Sequence, residues 1–589
     1  MSKKQRIALL AALLLASLIL PGCRGRNKHV SHTPNWTTPS PTESTGPECE
    51  HDYLFDHFDW TKDHRASAVY ICSKDASHID RREAEVQSET IVEPTPEKAG
   101  EKKSTARFDG HEETVTGPCI AGEVSLTVYA VNDFHGAVKK ADGSAGLAYF
   151  ASYFKEKGED PNTLLIDSGD TWQGSLLSNY NYGALISNVY NYVRFDAKTL
   201  GNHEFDWGTE IIRDNAALTS YGYNTPYLAA NVYDYDFASK KAGTVQQSDL
   251  GGKSVVYDLP SGIRVGIVGV IGTPQLTSIS SMYTTDICFL DHVRVIKEEA
   301  ASLRAQGCDV VICSIHAEQG VVLRQNLAKY VDLVLCAHSH QVESANEGDL
   351  LFAQFGANGV NYGRIDMTYH ASTGGVTSKM TVLSAEDVTS GTEKIDDEIA
   401  ALIDRYSAAC SEIANEVVAG NVLGTFSGSV QLPNLMCRAM YETCAEQGYD
   451  VCLAYVNKGR ASLSSWKWTY ADLCDVFPFD DMVYIVDVTG RELLDEVFKY
   501  NYVYVAEDFR GASIDPKATY RIACVDYVYF HTNGDRSYDY FPQSAGRYEA
   551  VLEDNYRLIL RDWLIANGYA SGKRLNADDF LTTQPGYHR

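Results

Sequence analysis

Five short polar clusters constrain the fold of this chain more than any other feature, because each follows an apolar run of strand type. The clusters are Asp133-Phe134-His135-Gly136, Gly169-Asp170, Gly201-Asn202-His203-Glu204, His316 and His338-Ser339-His340. Runs such as 126–130, 163–166, 309–313 and 331–336 are short and rich in Val, Ile and Leu, which is typical of strands buried on both faces. In an α/β sheet the loops after such strands meet at one edge, so we expect a single site there.

The residue types in these clusters match the ligands that two neighbouring divalent metal ions require. Such ions lie about 3.5–4 Å apart and need a shared carboxylate, several imidazole or carbonyl ligands, and open positions for water and a phosphate oxygen. A single histidine after one strand is more often a core or surface residue. Five clusters in this order, each with its strand, instead indicate a metal site.

The order D-x-H, G-D, G-N-H-E, H, H-x-H resembles that of the calcineurin-like metallophosphoesterases. Segments 201–206 (GNHEFD), 226–231 (PYLAAN) and 264–269 (RVGIVG) are similar to the 5′-nucleotidase branch. The resemblance runs from about Val124 to near the C-terminus. It implies an α/β fold, with a four-layer α/β/β/α sandwich followed by a second, α+β substrate-binding domain.

The resemblance also implies two catalytic residues and seven metal ligands. One ion would be held by Asp133, His135, Asp170 and His340, and the other by Asp170, Asn202, His316 and His338. Asp170 would therefore bridge the ions, whose identity stays open between Zn, Mn and similar metals. His203, oriented by Asp206, would face the substrate phosphate and stabilise or protonate the leaving side, while hydroxide formed at the metals attacks in line.

The segment 412–589 resembles the substrate domain of 5′-nucleotidases, in which two aromatic rings enclose the base. Phe479 matches the first ring. Tyr527 matches the second, or Tyr529 if the alignment is anchored further along, and we prefer Tyr527. The other predicted substrate-binding residues are Arg460, Asp481 and Asp535. Core packing is the alternative role for the aromatics, and Asp480 with Asp481 would repel a nearby phosphate.

The N-terminus is typical of an export signal. Lys3, Lys4 and Arg6 precede an apolar run, 7–20, that is too short for a comfortable membrane span. Leu20-Pro21-Gly22-Cys23 resembles a bacterial lipoprotein cleavage site, with Cys23 as the lipidated residue, although an ordinary cleaved signal remains the alternative. We therefore expect lipid anchoring on the extracytoplasmic side of a bacterial membrane.

The composition changes along the chain and suggests a domain order. We predict a signal peptide (1–22), a flexible tether (23–48), a small Cys/aromatic module (49–84), a linker (85–122), the metallophosphoesterase domain (123–388), a connecting helix (389–411) and the substrate domain (412–589). Cys49, His51 and Cys72 in the small module hint at zinc, but no fourth ligand follows Cys72. A degenerate module or a Cys49–Cys72 disulfide is an equally open interpretation.

The net charge of the chain limits the partners and substrates that we expect. The net charge of −27 over 589 residues disfavours nucleic acid as a stable partner, whereas a dimetal centre would attract a phosphate ester locally. We expect a hydrolase that releases phosphate from nucleotides. One alternative is a phosphodiesterase acting on 2′,3′-cyclic nucleotides or nucleotide sugars. Another is a surface nucleotide receptor, which the intact ligands and the His203–Asp206 pair disfavour. The oligomeric state stays open.

Overall fold

The structure is a computed structural model that describes residues 51–61, 64–141, 143–236, 241–497, 503–505, 509, 513–531, 540–544 and 547–581. The predicted signal peptide and tether, with Cys23, Cys49 and Asp535, lie outside these residues. None of the helices in the described part of the chain is long and apolar enough to cross a membrane.

The N-terminal part is a module of two three-stranded antiparallel sheets. The first contains β1 (Tyr53–Trp60), β2 (Ala66–Cys72) and β3 (Asp75–Glu83); the second contains β4 (Glu85–Val92), β5 (Gly100–Phe108) and β6 (His111–Cys119). Phe58 and Tyr70 of the first sheet share a small core with Ala106 of the second. His64 joins the sheets through hydrogen bonds to Ser104 Oγ (2.9 Å) and the Pro118 carbonyl (3.0 Å).

The prediction of a linker at 85–122 is therefore wrong. The side chains of β5 that are fully buried are Ser104 and Ala106, and β6 is largely exposed. Such strands lack the large apolar residues at alternate positions by which a half-buried strand is recognised in a sequence.

The central part of the chain builds a sandwich of two six-stranded sheets. Its elements are β7 (Glu123–Val131), α1 (Gly146–Lys157), β8 (Thr163–Asp167), α2 (Leu176–Asn179), α3 (Ala184–Val193), β9 (Ala197–Thr199), α4 (Thr209–Ala216), β10 (Tyr227–Leu228), β11 (Val232–Asp236), β12 (Lys241–Gln246), β13 (Ser254–Asp258), β14 (Arg264–Ile271), β15 (Ile287–Phe289), α5 (His292–Ala305), β16 (Val310–His316), α6 (Gln319–Val322), β17 (Leu333–Leu335), β18 (Val342–Glu347), β19 (Leu350–Phe355), β20 (Asn361–His370), β21 (Gly375–Ser384) and α7 (Ala385–Gly391).

One sheet has the order β10-β9-β8-β7-β20-β21 and the other β13-β14-β16-β17-β19-β18. The predicted clusters follow β7, β8 and β9 in the first sheet and β16 and β17 in the second. Within the first sheet β7, β8 and β9 are parallel to one another, and within the second β16 and β17 are parallel. Val128 and Ile166 from the first sheet pack against Ile267 and Ile312 from the second. Helices α1 and α3 cover the outer face of the first sheet and α5 that of the second, which gives four layers.

The C-terminal part has its own core around a five-stranded sheet with the order β27-β24-β28-β26-β29. After the connecting helix α8 (Asp397–Ala414), its elements are β22 (Val417–Ala419), β23 (Val422–Leu423), α9 (Gln431–Glu446), β24 (Leu453–Tyr455), β25 (Trp468–Thr469), α10 (Tyr470–Val476), β26 (Met482–Thr489), α11 (Gly490–Asp495), β27 (Val503–Val505), β28 (Thr519–Val525), α12 (Asp526–Tyr529), β29 (Tyr548–Asn555), α13 (Tyr556–Ala566) and β30 (Leu575–Asn576).

Helix α8 occupies most of the predicted connecting segment. Asp396 caps its start by accepting the amides of Glu398 and Ile399. Ile399, Leu402, Tyr406 and Cys410, spaced three or four residues apart, face the core of the sandwich. The helix that leads into the C-terminal part is therefore packed on the central domain.

Candidate active site

The five sequence clusters meet at the carboxyl ends of the strands. Asp133 and His135 follow β7, Asp170 follows β8, and Asn202 follows β9. From the facing sheet, His316 ends β16, while His338 and His340 follow β17. The two sheets thus supply opposite sides of one site, and Asp133, Asp170, Asn202 and His316 are each at most 1% exposed.

Five of the predicted ligands have left-handed backbone conformations. The φ angles are 48° at Asp133, 48° at His135, 54° at Asp170, 76° at His338 and 60° at His340. Positive φ is costly for a residue with a Cβ atom, less so for Asp and His than for most, and such strain concentrates at functional sites.

Two glycines allow the loops after β8 and β9 to approach each other closely. A Cβ atom at Gly169, whose φ is +95°, would lie 2.6 Å from the Gly201 nitrogen. A Cβ atom at Gly201 would lie 2.5 Å from the Asp170 nitrogen and 2.8 Å from His316 Nδ1. Any side chain at either position would push Asp170 away from His316.

The first ligand group consists of Asp133, His135 and His340. The Nε2 atoms of the two imidazoles are 3.0 Å apart, and His340 Nε2 lies 3.5 Å from Asp133 Oδ1. His135 Nδ1 donates to the Gln173 carbonyl at 3.0 Å, so the lone pair of its Nε2 faces the group. Two ligands bound at about 2.1 Å in adjacent positions on one ion would be separated by roughly this distance.

The second group consists of Asp170, Asn202, His316 and His338. His316 Nδ1 donates to the Ser168 carbonyl at 2.9 Å, which leaves Nε2 pointing at Asp170 Oδ2 (3.2 Å) and Asn202 Oδ1 (3.1 Å). His338 Nδ1 lies 2.9 Å from the same Asn202 oxygen. The amide nitrogen of Asn202 is buried and has no hydrogen-bond partner among the described residues, so the oxygen is turned toward the imidazoles at a cost.

This donor set fits divalent ions. Carboxylate, amide and imidazole groups of seven residues converge here, and these are the ligand types that divalent ions use. Burial lowers the pKa of His316, but the carboxylates of Asp170 and Asp133 outweigh it and raise the pKa to about 10. Burial also raises the pKa of Asp133, with help from Asp170, to about 7. The site therefore attracts positive charge, which a bound metal would supply.

His203 lies beside these groups and is held by Asp206. Its Nδ1 donates to Asp206 Oδ2 at 2.7 Å, and its backbone amide donates to Asp170 Oδ1 at 2.8 Å. Burial lowers the pKa of His203, but Asp206 and Asp170 outweigh it and raise the pKa to about 9. The imidazole is therefore charged at neutral pH, and its contact with Asp206 uses Nδ1 and not Nε2.

Glu204 supports the site in a way that the sequence motif did not reveal. Its carboxylate accepts the backbone amides of Asp170 (2.9 Å), Thr171 (2.8 Å) and Gly201 (2.7 Å). It is fully buried and pairs with the equally buried Lys198, whose Nζ is 3.1 Å away. Glu204 thus joins two ligand loops. Its place in the G-N-H-E motif was the available signal, because a buried carboxylate beside the ligand loops needs such partners.

We expect Glu204→Gln to weaken metal binding by roughly 10–100-fold, as is usual for loss of a group that supports ligands. Glutamine cannot accept three amide hydrogens at this position, because its NH₂ group would face another donor. The measurement is a titration of the metal-free protein with Mn²⁺ or Zn²⁺. Glu210→Gln, at an exposed position on α4, is the matched control, and equal affinity of the two variants would refute the supporting role.

The predicted substrate residues lie at different distances from this site. The Phe479 ring lies 5.4 Å from that of His203, nearly parallel at 24°, and the Arg460 guanidinium lies 5.1 Å over the Phe479 ring. Burial, with the charges of Tyr540, Asp481 and Asp206, raises the pKa of Tyr527 to about 12, although Arg460 lowers it. Asp481 has a buried oxygen, Oδ2, without a hydrogen-bond partner in the described part of the chain.

Tyr529, the alternative second aromatic, is fully buried, and its hydroxyl donates to the carbonyls of Ser544 and Arg547. It cannot stack on a ligand, so Tyr527 alone remains predicted for this role. The expectation that Asp480 would repel phosphate is also wrong. Asp480 forms an ion pair with the buried Arg557 and accepts from Trp207 Nε1 at 3.0 Å.

Gln173 connects the metal loops to the segment that carries Phe479. Its backbone carbonyl orients His135, and its side-chain Nε2 donates to the Pro478 carbonyl at 2.8 Å. Asn179 donates to the same carbonyl. Further contacts, such as Tyr283 Oη to Asp526 Oδ2 at 2.7 Å, also bridge the central and C-terminal parts. The ring of Phe479 is thereby fixed relative to His203.

Comparison with known proteins agrees with this arrangement. Residues 126–342 match the family described as calcineurin-like phosphoesterase. The chain contains a calcineurin-like phosphoesterase domain. The solved 5′-nucleotidase precursor from Thermus thermophilus has a similar fold, with a TM-score of 0.60 at 20% identity, covering 77% of this chain and 97% of that one. The predicted four-layer sandwich followed by a second domain is confirmed.

Two proteins with sequences similar to this chain are named for different activities. Endonuclease YhcR of Bacillus subtilis (strain 168) is 26% identical over 486 residues, which cover 72% of this chain and 38% of the relative. The 5′-nucleotidase of Diplobatis ommata is 30% identical over 237 residues, which cover 37% of this chain and 38% of the relative. The chain therefore spans less than half the length of either relative.

Proposed function

We propose that this chain is an exported, two-metal phosphohydrolase that releases phosphate from nucleotides in the manner of a 5′-nucleotidase. The observation that carries the proposal is the position of the Phe479 ring, which stacks 5.4 Å from the His203 imidazole at the edge of the ligand groups. A flat aromatic surface beside a phosphate-directed histidine suits a substrate that has both a base and a phosphate.

Two divalent ions would be held by Asp133, His135, Asp170, Asn202, His316, His338 and His340. When bound, they would act as Lewis acids toward the phosphoryl oxygens and would lower the pKa of a bound water molecule to a value near neutrality. The set of carboxylate, amide and imidazole ligands accepts Zn²⁺, Mn²⁺ and similar ions.

The protein groups would bind, orient and protonate the substrate. His203 would place Nε2 against the phosphate and, in its protonated form, give its proton to the leaving oxygen. Asp206 would hold the imidazole by its Nδ1–H and so fix which nitrogen faces the substrate. Phe479 and Tyr527 would enclose the base, and Arg460 would add positive charge near the Phe479 ring.

A phosphodiesterase is the second candidate, because the relative named as an endonuclease matches 72% of this chain. The discriminating experiment is a substrate panel with added Mn²⁺, Zn²⁺ or Co²⁺. It should compare nucleoside 5′-monophosphates, 2′,3′-cyclic nucleotides, nucleotide sugars and single-stranded DNA. The proposal predicts the highest kcat/KM for a monophosphate. A preference for any diester would replace it by the second candidate, and nucleotide binding without turnover would indicate a receptor.

Replacing Phe479 with Ala tests base recognition. An aromatic stack contributes about 1–3 kcal/mol per base, so KM for a nucleoside monophosphate should rise roughly 5–150-fold. A small aryl phosphate, which needs only the metals and His203, should be affected much less. Phe479→Tyr should retain recognition, and Trp466→Ala, at a side chain 70% exposed elsewhere in the same domain, is the control. Equal losses on both substrates would identify Phe479 as a packing residue.

The export part of the proposal rests on the N-terminal sequence, with its basic start, apolar run and Cys23. Cys23→Ser should release the protein from the membrane fraction of its bacterial host without changing its specific activity. Cell fractionation followed by a phosphatase assay checks both. Continued membrane association of the variant would contradict lipid anchoring at Cys23.

A further inference from the structure

A second cluster of metal-ligating side chains lies in the N-terminal module, outside the phosphoesterase domain. A ring nitrogen of His51, the Cys72 sulfur and a ring nitrogen of His78 lie within 4.8 Å of one another. Each of these residue types binds zinc in proteins through the atom that points into the cluster. The cluster is therefore a candidate metal site that the phosphoesterase chemistry does not use.

The strand pairing of the module brings these residues together. Tyr53 at the start of β1 pairs with Cys72 at the end of β2, which places His51 beside the sulfur. The two-residue turn between Cys72 and Asp75 leads into β3, and His78 follows on that strand. The cluster thus joins the point where the chain enters the first sheet to the β2–β3 hairpin.

The ring of His78 has the polar environment of a ligand. Its Nδ1 is buried and has no hydrogen-bond partner within the described ranges, which is costly for a polar atom. Its Nε2 lies 3.8 Å from Asp75 Oδ2, which is longer than a hydrogen bond but places a negative charge near the cluster. The His51 ring lies 4.7 Å from that of His78, at 85° to it.

The sulfur of Cys72 is well placed to bind as a thiolate. Cys72 is 2% exposed. A thiolate with two imidazoles is a donor set that favours zinc over hard cations such as Ca²⁺ or Mg²⁺.

We propose that His51, Cys72 and His78 bind one Zn²⁺ ion that is separate from the catalytic metals and stabilises the N-terminal module. The converging imidazoles distinguish this site from a disulfide, because a Cys72 disulfide would give neither ring a role. The assignment uses these three ligands alone.

A metal site would add stability to the N-terminal module, whose apolar core is small. Its buried core has two large side chains, Phe58 and Tyr70, with four alanines, and the other large apolar side chains that pack against it are only partly buried. Small domains with little apolar burial commonly depend on a metal or a disulfide for stability. An ion held by His51, Cys72 and His78 would fix the start of β1 to the hairpin, and its binding energy would stabilise the folded module.

Cobalt substitution of the full-length protein tests this proposal selectively. A thiolate–Co²⁺ charge-transfer band in the near ultraviolet should appear, and Zn²⁺ should displace it. The catalytic centre has no thiolate among its predicted ligands, so this band reports only the Cys72 site. The band should be absent from Cys72→Ser, and Cys72→Ser, His51→Asn and His78→Asn should each contain one Zn²⁺ fewer per chain than the wild-type protein.

His57→Asn, at an exposed position on β1, is the matched control and should keep both the band and the zinc. Phosphatase activity should be unchanged in all these variants, which separates a failure here from a failure of the proposed function. Alkylation of wild-type Cys72, which needs no variant to fold, should be slow until a chelator is added. Absence of the band from wild-type protein, or recovery of Cys72 in a disulfide by non-reducing peptide mapping, would overturn the proposal.

Discussion

Asp170→Asn is expected to abolish phosphatase activity and to remove bound metal. Asp170 Oδ2 lies 3.2 Å from His316 Nε2 and 3.9 Å from His135 Nε2, so this carboxylate reaches both ligand groups. Its loss should lower kcat/KM by at least roughly 10³-fold, because loss of a residue that only supports a ligand already costs about 10–100-fold. Metal content by elemental analysis and turnover of a nucleoside monophosphate are the measurements.

Asparagine is the sharpest replacement at this position. It tolerates the left-handed backbone, where φ is 54°, and its side-chain oxygen can still accept the His203 amide. The substitution therefore removes the charge and replaces Oδ2 by an NH₂ group that cannot bind a metal, while the backbone conformation and the bond from the His203 amide are kept. Asp366→Asn, at an exposed carboxylate on β20 paired with Arg364, is the control. Normal metal content together with normal turnover in Asp170→Asn would refute the two-metal assignment.

The sequence allowed the central fold and the membership of the metal clusters to be predicted because buried parallel strands have a distinct composition. The runs at 163–166 and 309–313 contain almost only apolar residues, and the observed strands are Thr163–Asp167 and Val310–His316. Polar residues directly after such strands must lie at one edge of a sheet. The left-handed conformations of Asp133 and His338 are not visible in a sequence, since they depend on contacts between loops.

The errors arose where side-chain size or partner identity decides the structure. The sequence does not reveal the sheet formed by β4, β5 and β6, because its inward positions hold Ser104 and Ala106 rather than large apolar residues. Asp480 was treated as a free charge because its partner, Arg557, is 77 residues away in the sequence. Glu204 was overlooked as a supporting group because only the fold shows that three loop amides point at it.

His203→Ala is expected to leave the metals in place and to slow the reaction by roughly 10²–10⁴-fold, the usual range for a positioned acid–base group. His203 Nδ1 donates to Asp206, which agrees with the proposed role of this ring toward the substrate. Asp206→Asn should cost less, because the imidazole stays in the site and loses only part of its orientation and charge. Steady-state kinetics on a nucleoside monophosphate, with metal analysis of each variant, measure both effects.

Added imidazole should partly restore turnover of His203→Ala, because the side chain leaves a space of that shape beside the phosphate. It should not restore Asp170→Asn, whose defect is the metal centre. His370→Ala, whose ring bonds to Thr377 outside the site, is the control for loss of a histidine. His203 could instead be a metal ligand, because one of its ring nitrogens also lies in a group with His135 and Asp170 that could hold an ion. If His203→Ala loses a metal and imidazole fails to rescue it, His203 is a ligand, and the proton for the leaving oxygen must come from another group.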